Sequence, residues 1–523
     1  MRLLFTAASL VTLAVFAPLA AQGTAPTEQI VTTQHQITLN GRPLQYTARA
    51  GLLPIRDNET GDIRAQIYFM AYTLDRATGQ PPRPLAFLWN GGPGMNSSLI
   101  HLLGFGPKRV KTGDVYPTSP PLSETELEDN QETWLDQMDL VFVDPVGTGY
   151  SRPTKAEYAD GFYETPGDAE AVAEFIRVYR GRFDTWEQPL FIVGHSYGTT
   201  RAMAMSAILE RRGIPLSGVV LMSGGILVGQ PALSSDLSTA LGIPGMTAVA
   251  LYHKRLAPEL QRDLGAALKE SEAWALKEYA PALARLDALG TAERDAVVRG
   301  LSRYTGLPTS AIDGKTLRIE RSIEHDQFRM QLVPGRMLGM YDQRTSRPSD
   351  TTTARSDGLP YLPPDPSLAP AFKLAQGTSI LLNRYMGQEL RFESDLLYQG
   401  ALGGGYPSTA SSLVRRFKWN REAQTQPTVA DPNPPLRQAM YANPAIRVFL
   451  LRGLYDSLGN GCLRQLYIVN HLSPDLRRRV TIGCYGAGHD FYTDKLVRQE
   501  VKRDMMAFVR RTLAGESVDG SQE

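Results

Sequence analysis

Cysteine is almost missing from this chain: two residues, Cys462 and Cys484, among 523. One intrachain bridge is the most they allow, so the fold is not a small domain stapled by several disulfides. Charge of one sign is lacking as well. Lys plus Arg is 55 against 54 acidic residues, and loss of Arg2 with an N-terminal leader leaves 54 of each. No global field therefore recruits nucleic acid or a membrane. Beyond the first residues no apolar run approaches the roughly 20 residues of a membrane helix. Disorder is excluded by composition: 42% of residues are hydrophobic and 21% charged, ordinary for a soluble globular chain with a large core and room for an inserted subdomain.

The chain opens "MRLLFTAASLVTLAVFAPLAAQG", with Arg2 ahead of an apolar stretch that ends in small residues. This reads as a secretory leader, residues 1–21, cut near Ala21 or Gln22. A single membrane anchor is the alternative, but the stretch from Leu3 to Phe16 is short for a span and no Cys follows it to carry lipid. The expectation is export, to the periplasm or the medium, with no stable membrane insertion after cleavage. In an oxidising compartment Cys462 can pair with Cys484; two unrelated buried thiols are the other reading.

From about Gln36 to Leu74 the sequence alternates, and Asn40-Gly41 supplies a hairpin turn, which predicts antiparallel strands. The pattern then changes to short continuous apolar runs: "PLAFLWN", "MDLVFVD", "PLFIVG", "GVVLMSG", "IRVFLLRG" and "RVTIGCYG". Runs of this kind are strands buried on both faces of a parallel sheet, and helical stretches such as Thr165 to Tyr179 separate them. The alternation predicts an α/β fold with a mostly parallel central sheet, its first part at 30–225 and its second at 441–514. Between them the strand rhythm disappears. Thr247 to about Leu301 reads as helices, with Gly290-Thr291 as a helix stop followed by an N-cap, and proline-rich loops follow. Residues 226–440 are read as an inserted, mainly helical lid, and 515–523 as a flexible tail.

"FIVGHSYGTT" places Gly-x-Ser-x-Gly directly after one of these runs and before residues that can open a helix. That is how a nucleophile elbow reads, with Ser196 lifted above the sheet by a turn that only flanking glycines permit. A serine hydroxyl needs a histidine to take its proton and a carboxylate to orient the imidazole. In the α/β-hydrolase fold these follow in the order Ser, Asp, His, each in a loop after a strand's carboxyl end. The last two apolar runs deliver Asp456 in "VFLLRGLYDSLGN" and His489 in "VTIGCYGAGHDFY". Asp490 is a rival acid whose adjacency to His489 counts against it. Helix capping for Ser196 and a turn for Asp456 are the plainer readings of each alone, but three loops meeting one geometric demand favour the triad. "FLWNGGPGMNSS" supplies an early glycine loop, so the main-chain N–H groups of Gly92 and Tyr197 are the expected oxyanion hole.

Taken in order, "LWNGGPGMNSS", "FGPKRV", "LVFVDPVGTGYS", "GHSYG", "GLYDSLGN" and "GAGHD" resemble the motifs of the serine carboxypeptidases, in a form similar to bacterial members. The resemblance runs roughly from Gln36 to Leu513 and is loosest in the lid. It implies removal of a peptide's last residue through an acyl-enzyme, with no metal or organic cofactor and a peptide with a free C-terminus as partner. It also implies that Asn90, with Gly91 beside it, helps hold the substrate's terminal carboxylate. Two glutamates share that task in the family, and here their positions carry His195 and Gly104. A histidine can attract a carboxylate as a cation and lose its grip as it deprotonates near 6.5 or so, or it can simply be packed. "VDPVGTGYSRP" resembles the family's site-lining loop and lacks phosphate-loop spacing, which leaves Asp144 and Tyr150 as structural or rim residues. Cys462 and Cys484 flank the loops of Asp456 and His489.

The expectation is therefore an exported serine carboxypeptidase-like hydrolase. An esterase or acyltransferase of the same fold is the alternative, motivated by the missing glutamates, and a non-catalytic binding protein is the more distant one. No sequence feature sets an oligomeric state.

Overall fold

Each short apolar run is a strand because both of its faces have something to bury against. In the computed structural model the described residues are 29–77, 79–111, 126–224, 235–319, 326–349, 381–400, 417–418, 434–458 and 461–516. The leader at 1–21, most of the proline-rich loops and residues 517–523 lie outside them.

The antiparallel opening consists of β1 (Ile30–Leu39), β2 (Arg42–Arg56) and β3 (Ile63–Leu74). Asn40 and Gly41 make the first turn at φ 50° and 75°, the left-handed geometry for which Asn-Gly is suited. The following strands are β4 (Leu85–Trp89), β5 (Asp139–Val143), β6 (Leu190–His195), β7 (Gly218–Met222), β8 (Arg447–Gly453) and β9 (Val480–Tyr485). They join in one sheet in the order β1-β2-β3-β5-β4-β6-β7-β8-β9, with a tenth short strand, Arg152–Pro153, beside β3. Pairing is antiparallel from β1 to β5 and parallel from β5 to β9.

Helices cover both faces. Leu140 and Phe142 of β5 belong to the layer that includes Val501, Met505 and Phe508 of the helix Lys495–Leu513. Val141 and Val143, one residue out of step, belong to the layer of α1 (Thr165–Arg182) and α2 (Tyr197–Arg211). Side chains alternate across a strand, so a strand clothed on both sides is apolar at every position. This is the α/β-hydrolase fold, with a mainly parallel sheet and the loops of Ser196, Asp456 and His489 at the carboxyl ends of β6, β8 and β9.

Between β7 and β8 the chain leaves the sheet. Ser235–Leu241, α3 (Ile243–Tyr252), α4 (Leu264–Trp274) and α5 (Thr291–Thr305) gather around a separate apolar core that includes Leu301, Tyr304 and Leu317. The N-cap of α5 is Gly290, one residue before the expected Thr291, and its N–H donates to Glu293 Oε2 at 3.0 Å. Tyr455 of the sheet domain packs into the same core. At the far end of the chain the expected loose tail is tied down at its start: Arg447 donates from Nη2 to Gly515 O at 3.0 Å and from Nε to Glu516 O at 3.1 Å. No described helix is long and apolar enough to cross a membrane.

Candidate active site

Ser196 sits between the last residue of β6 and the first of α2, at φ 57° and ψ −128°. A serine in that region costs about 1–3 kcal/mol, so its surroundings must impose the conformation. They do so by close backbone packing. A Cβ at Gly194 would lie 2.1 Å from Gly198 O, and one at Gly198 would lie 2.7 Å from the Trp89 ring. The turn is pinned by Ser196 N–H donating to Met222 O at 2.9 Å and by Thr199 Oγ1 donating to Ser196 O at 2.8 Å.

Asp456 and His489 follow the carboxyl ends of β8 and β9. His489 Nδ1 donates to Asp456 Oδ2 at 2.8 Å, and both side chains are buried. Leu458 N–H donates to Asp456 Oδ1 at 2.9 Å, so both carboxylate oxygens are held. Burial alone would raise the Asp456 pKa, but His489, Arg452 and the Leu458 N–H together outweigh it and the pKa lies below the usual carboxylate value. Burial would likewise lower that of His489, but Asp456 carries it above 6.5. With Nδ1 as donor, His489 Nε2 is left as the acceptor, and it has no hydrogen-bond partner. Asp490 is not part of this pair. Its Oδ1 lies 3.5 Å from His195 Nε2 and accepts from Tyr492 OH at 3.3 Å.

The glycine loop after β4 packs directly on the elbow. A Cβ on Gly91 would come within 2.4 Å of Tyr197 N and 2.7 Å of His195 O, which leaves room for glycine alone. Gly92 has φ 102°, and the Gly92-Pro93 peptide is cis. Tyr197 is the first residue of α2, where N–H groups point out of the helix end. Further polar contacts brace the loop. Arg201 Nη1 donates to Asn90 O at 3.1 Å, while Arg201 Nε and Tyr197 OH both donate to Asp168 Oδ2, at 2.8 and 3.0 Å. Asp144, read as structural or as a rim residue, is buried, and its Oδ1 accepts from Ser97 N–H and Oγ at 2.8 and 2.7 Å. Burial pushes its carboxyl up to about 6.

The expected carboxylate device is arranged differently. His195 is 3% exposed, and burial takes its pKa down to about 4, so it is not a cation near 6.5. Its Nε2 donates to His489 O at 3.1 Å and its Nδ1 lies 3.3 Å from Asn90 Nδ2. The same Nδ2 donates to Tyr492 OH at 3.2 Å, and Asn90 Oδ1 accepts from Ile100 N–H at 3.0 Å. Both polar ends of the Asn90 side chain are thus engaged inside the protein. Gly104 lies in a helical turn, Leu99–Phe105, and a Cβ there would touch the Tyr492 ring at 3.6 Å.

Several partners gave no signal in the sequence. Ser223 Oγ donates to His489 O at 2.7 Å. Tyr341 O accepts from His489 N–H at 2.7 Å, Met340 O accepts from Ser457 Oγ at 2.7 Å, and Gln343 N–H donates to Tyr455 O at 3.0 Å. A segment of the inserted region therefore stitches the Asp456 and His489 loops together. Cys462, at the start of the helix Gly461–Asn470, and Cys484, in β9, form a disulfide. Among the described residues no group of three or more His, Cys, Asp or Glu side chains is disposed to hold a metal.

The sequence model of the family described as serine carboxypeptidase matches residues 41–295. The pheromone-processing carboxypeptidase KEX1 of Komagataella phaffii is 34% identical over 125 residues, 22% of this chain and 17% of that protein. Serine carboxypeptidase-like 19 of Arabidopsis thaliana is 24% identical over 230 residues, 43% of this chain and 46% of that protein. These matches span well under two thirds of the relatives' own length. Among solved structures, the prohormone-processing carboxypeptidase Kex1(delta)p of Saccharomyces cerevisiae aligns over 89% of this chain and 91% of that one, with 17% identity and a TM-score of 0.49. On the family match, residues 41–295, which carry the glycine loop and the Ser196 elbow, belong to the serine carboxypeptidase family.

Proposed function

We propose that this chain is an exported serine carboxypeptidase that releases C-terminal residues from peptides through an acyl-enzyme on Ser196. The observation that carries the reading is the buried Asp456–His489 pair, whose unpartnered Nε2 belongs to a loop bonded to His195, the residue next to Ser196. Ser196 Oγ attacks the scissile carbonyl and its proton passes to Nε2. The carbonyl oxygen, now negative, is received by the N–H groups of Gly92 and Tyr197. His489 then protonates the leaving amine, and a water activated by the same nitrogen releases the acid and restores the serine.

Family membership of residues 41–295 supports peptide chemistry at this site. The disulfide and the leader-like first residues support export, since such bridges persist in oxidising compartments. The helical insertion between β7 and β8 is read as a lid, one of whose loops also fixes the base. A second reading, an esterase or acyltransferase, is favoured by one observation: the side chains of Asn90 and His195 already satisfy each other and their neighbours.

Hydrolysis of an N-blocked dipeptide, its C-terminal amide and an aryl ester separates these, with Ser196→Ala as control. Cleavage of the free acid in preference to the amide is expected. Cleavage of the ester alone would give the site to the second reading, and equal inertness of wild type and control on all three would remove the triad from chemistry.

A further inference from the structure

Asp456 has a second charged neighbour besides His489. Arg452, four residues earlier near the end of β8, is 1% exposed, and its Nη1 lies 3.8 Å from Asp456 Oδ2. Its Nε and Nη1 have no hydrogen-bond partner. A guanidinium removed from water with two of its three nitrogens unbonded is strongly destabilising unless an opposite charge compensates it. Among the described residues the one acid within ion-pair reach is Asp456. Burial lowers the Arg452 pKa to about 10, with Asp456 opposing and Arg464 adding to the shift, so the side chain is still a cation at neutral pH.

The placement is built into the fold. Arg452 pairs in register with Cys484 on β9, and Cys484 is bonded to Cys462 at the start of the helix Gly461–Asn470. That helix carries Arg464, whose Nε is also buried without a partner. The disulfide thus fixes the elements that bring these arginines to the acid's side of the site. The consequence follows from charge counting. A buried carboxylate beside a neutral imidazole leaves one negative charge, which favours a proton on the imidazole and blocks the base. A buried cation within 4 Å of that carboxylate cancels it.

We propose that Arg452 is a positioning residue of this site, a buried counter-charge that holds Asp456 as a carboxylate and sets how readily His489 takes up a proton. This rests on the triad reading. The groups around His489 are consistent with it: Asp456 and Asp490 favour its protonated form, Arg452 disfavours it, and neighbouring His195 is neutral above about pH 4. Around Asp456 stand His489, Arg452 and the more distant Asp342, which Arg344 neutralises.

The test reads the rate at which a fluorophosphonate labels Ser196 as a function of pH, which needs no knowledge of the peptide substrate. For the wild-type protein, labelling rises through an acid limb as His489 loses its proton. Arg452→Met is expected to move that limb up by roughly one pH unit, slowing labelling about tenfold on its acid side. Arg452→Lys, which keeps the charge, should restore the wild-type position. Arg452→Gln serves as a second neutral variant if the methionine protein melts below the assay temperature. A limb that stays put in the neutral variants overturns the proposal, as does a lysine variant displaced as far as they are. Wild-type protein that is not labelled at any pH overturns the triad reading itself, and the proposal with it.

Discussion

His195 Nε2 and His489 O are 3.1 Å apart, so the residue before Ser196 braces the main chain of His489. The ring is buried and neutral, and its other nitrogen faces Asn90. His195→Ala is therefore expected to lower stability by about 1–3 kcal/mol, as for a buried hydrogen-bonding group left without its partner. It should lower kcat on acid, amide and ester substrates alike. Thermal melts and a comparison of KM across the three check this. A rise in KM confined to the free acid would show instead that His195 touches the substrate's carboxylate.

The pH profile follows from the coupling of His489 to Asp456. Because the pair keeps the imidazole pKa above 6.5, His489 is unprotonated only above that raised pKa and gains its proton as pH falls through it. The acid limb of kcat/KM is expected above pH 6.5. A limb at pH 5 would contradict the observed pairing. Asp456→Asn removes the orienting carboxylate and should cost about 10⁴-fold in kcat, and it should also lower the melting temperature, because it leaves the buried Arg452 without its counter-charge.

Gly91 touches the elbow so closely that a single methyl group collides with Tyr197 N and His195 O. Backbone must move to relieve it, and the backbone concerned carries both expected oxyanion donors. Gly91→Ala should lower kcat by about 10²-fold or more, the loss associated with one misplaced oxyanion donor. An alanine variant with full activity would show that this loop does not form the hole.

The disulfide closes a 22-residue separation between Cys462 and Cys484. Chain entropy assigns such a loop about 3 kcal/mol of stability. Replacing both cysteines by serine should lower the urea midpoint accordingly. Alkylation of unreduced protein should find no free thiol, and two labelled cysteines would refute the bridge.

The sequence by itself determined the sheet and the order of the site. Continuous apolar runs announce strands covered on both faces, and the loops after their carboxyl ends must gather at one edge of the sheet, so the sharp turn at Ser196 and the pairing of Asp456 with His489 are legible from position alone. The glycines at 91, 194 and 198 are legible for a related reason, since each marks a backbone approach that no side chain survives. Charge state was not legible. Whether His195 is a cation depends on burial and on a carbonyl 294 residues away, and only the folded chain brings them together. The same holds for Arg452, an ordinary strand residue until β9 and the helix after Asp456 close around it, and for Tyr341, a loop residue whose carbonyl accepts from His489 N–H. Local pattern fixes where the chain turns, because strand and helix periodicities are short-ranged. The protonation and hydrogen bonding of a buried site are set by solvent exclusion and neighbours from distant segments, which the tertiary structure alone decides.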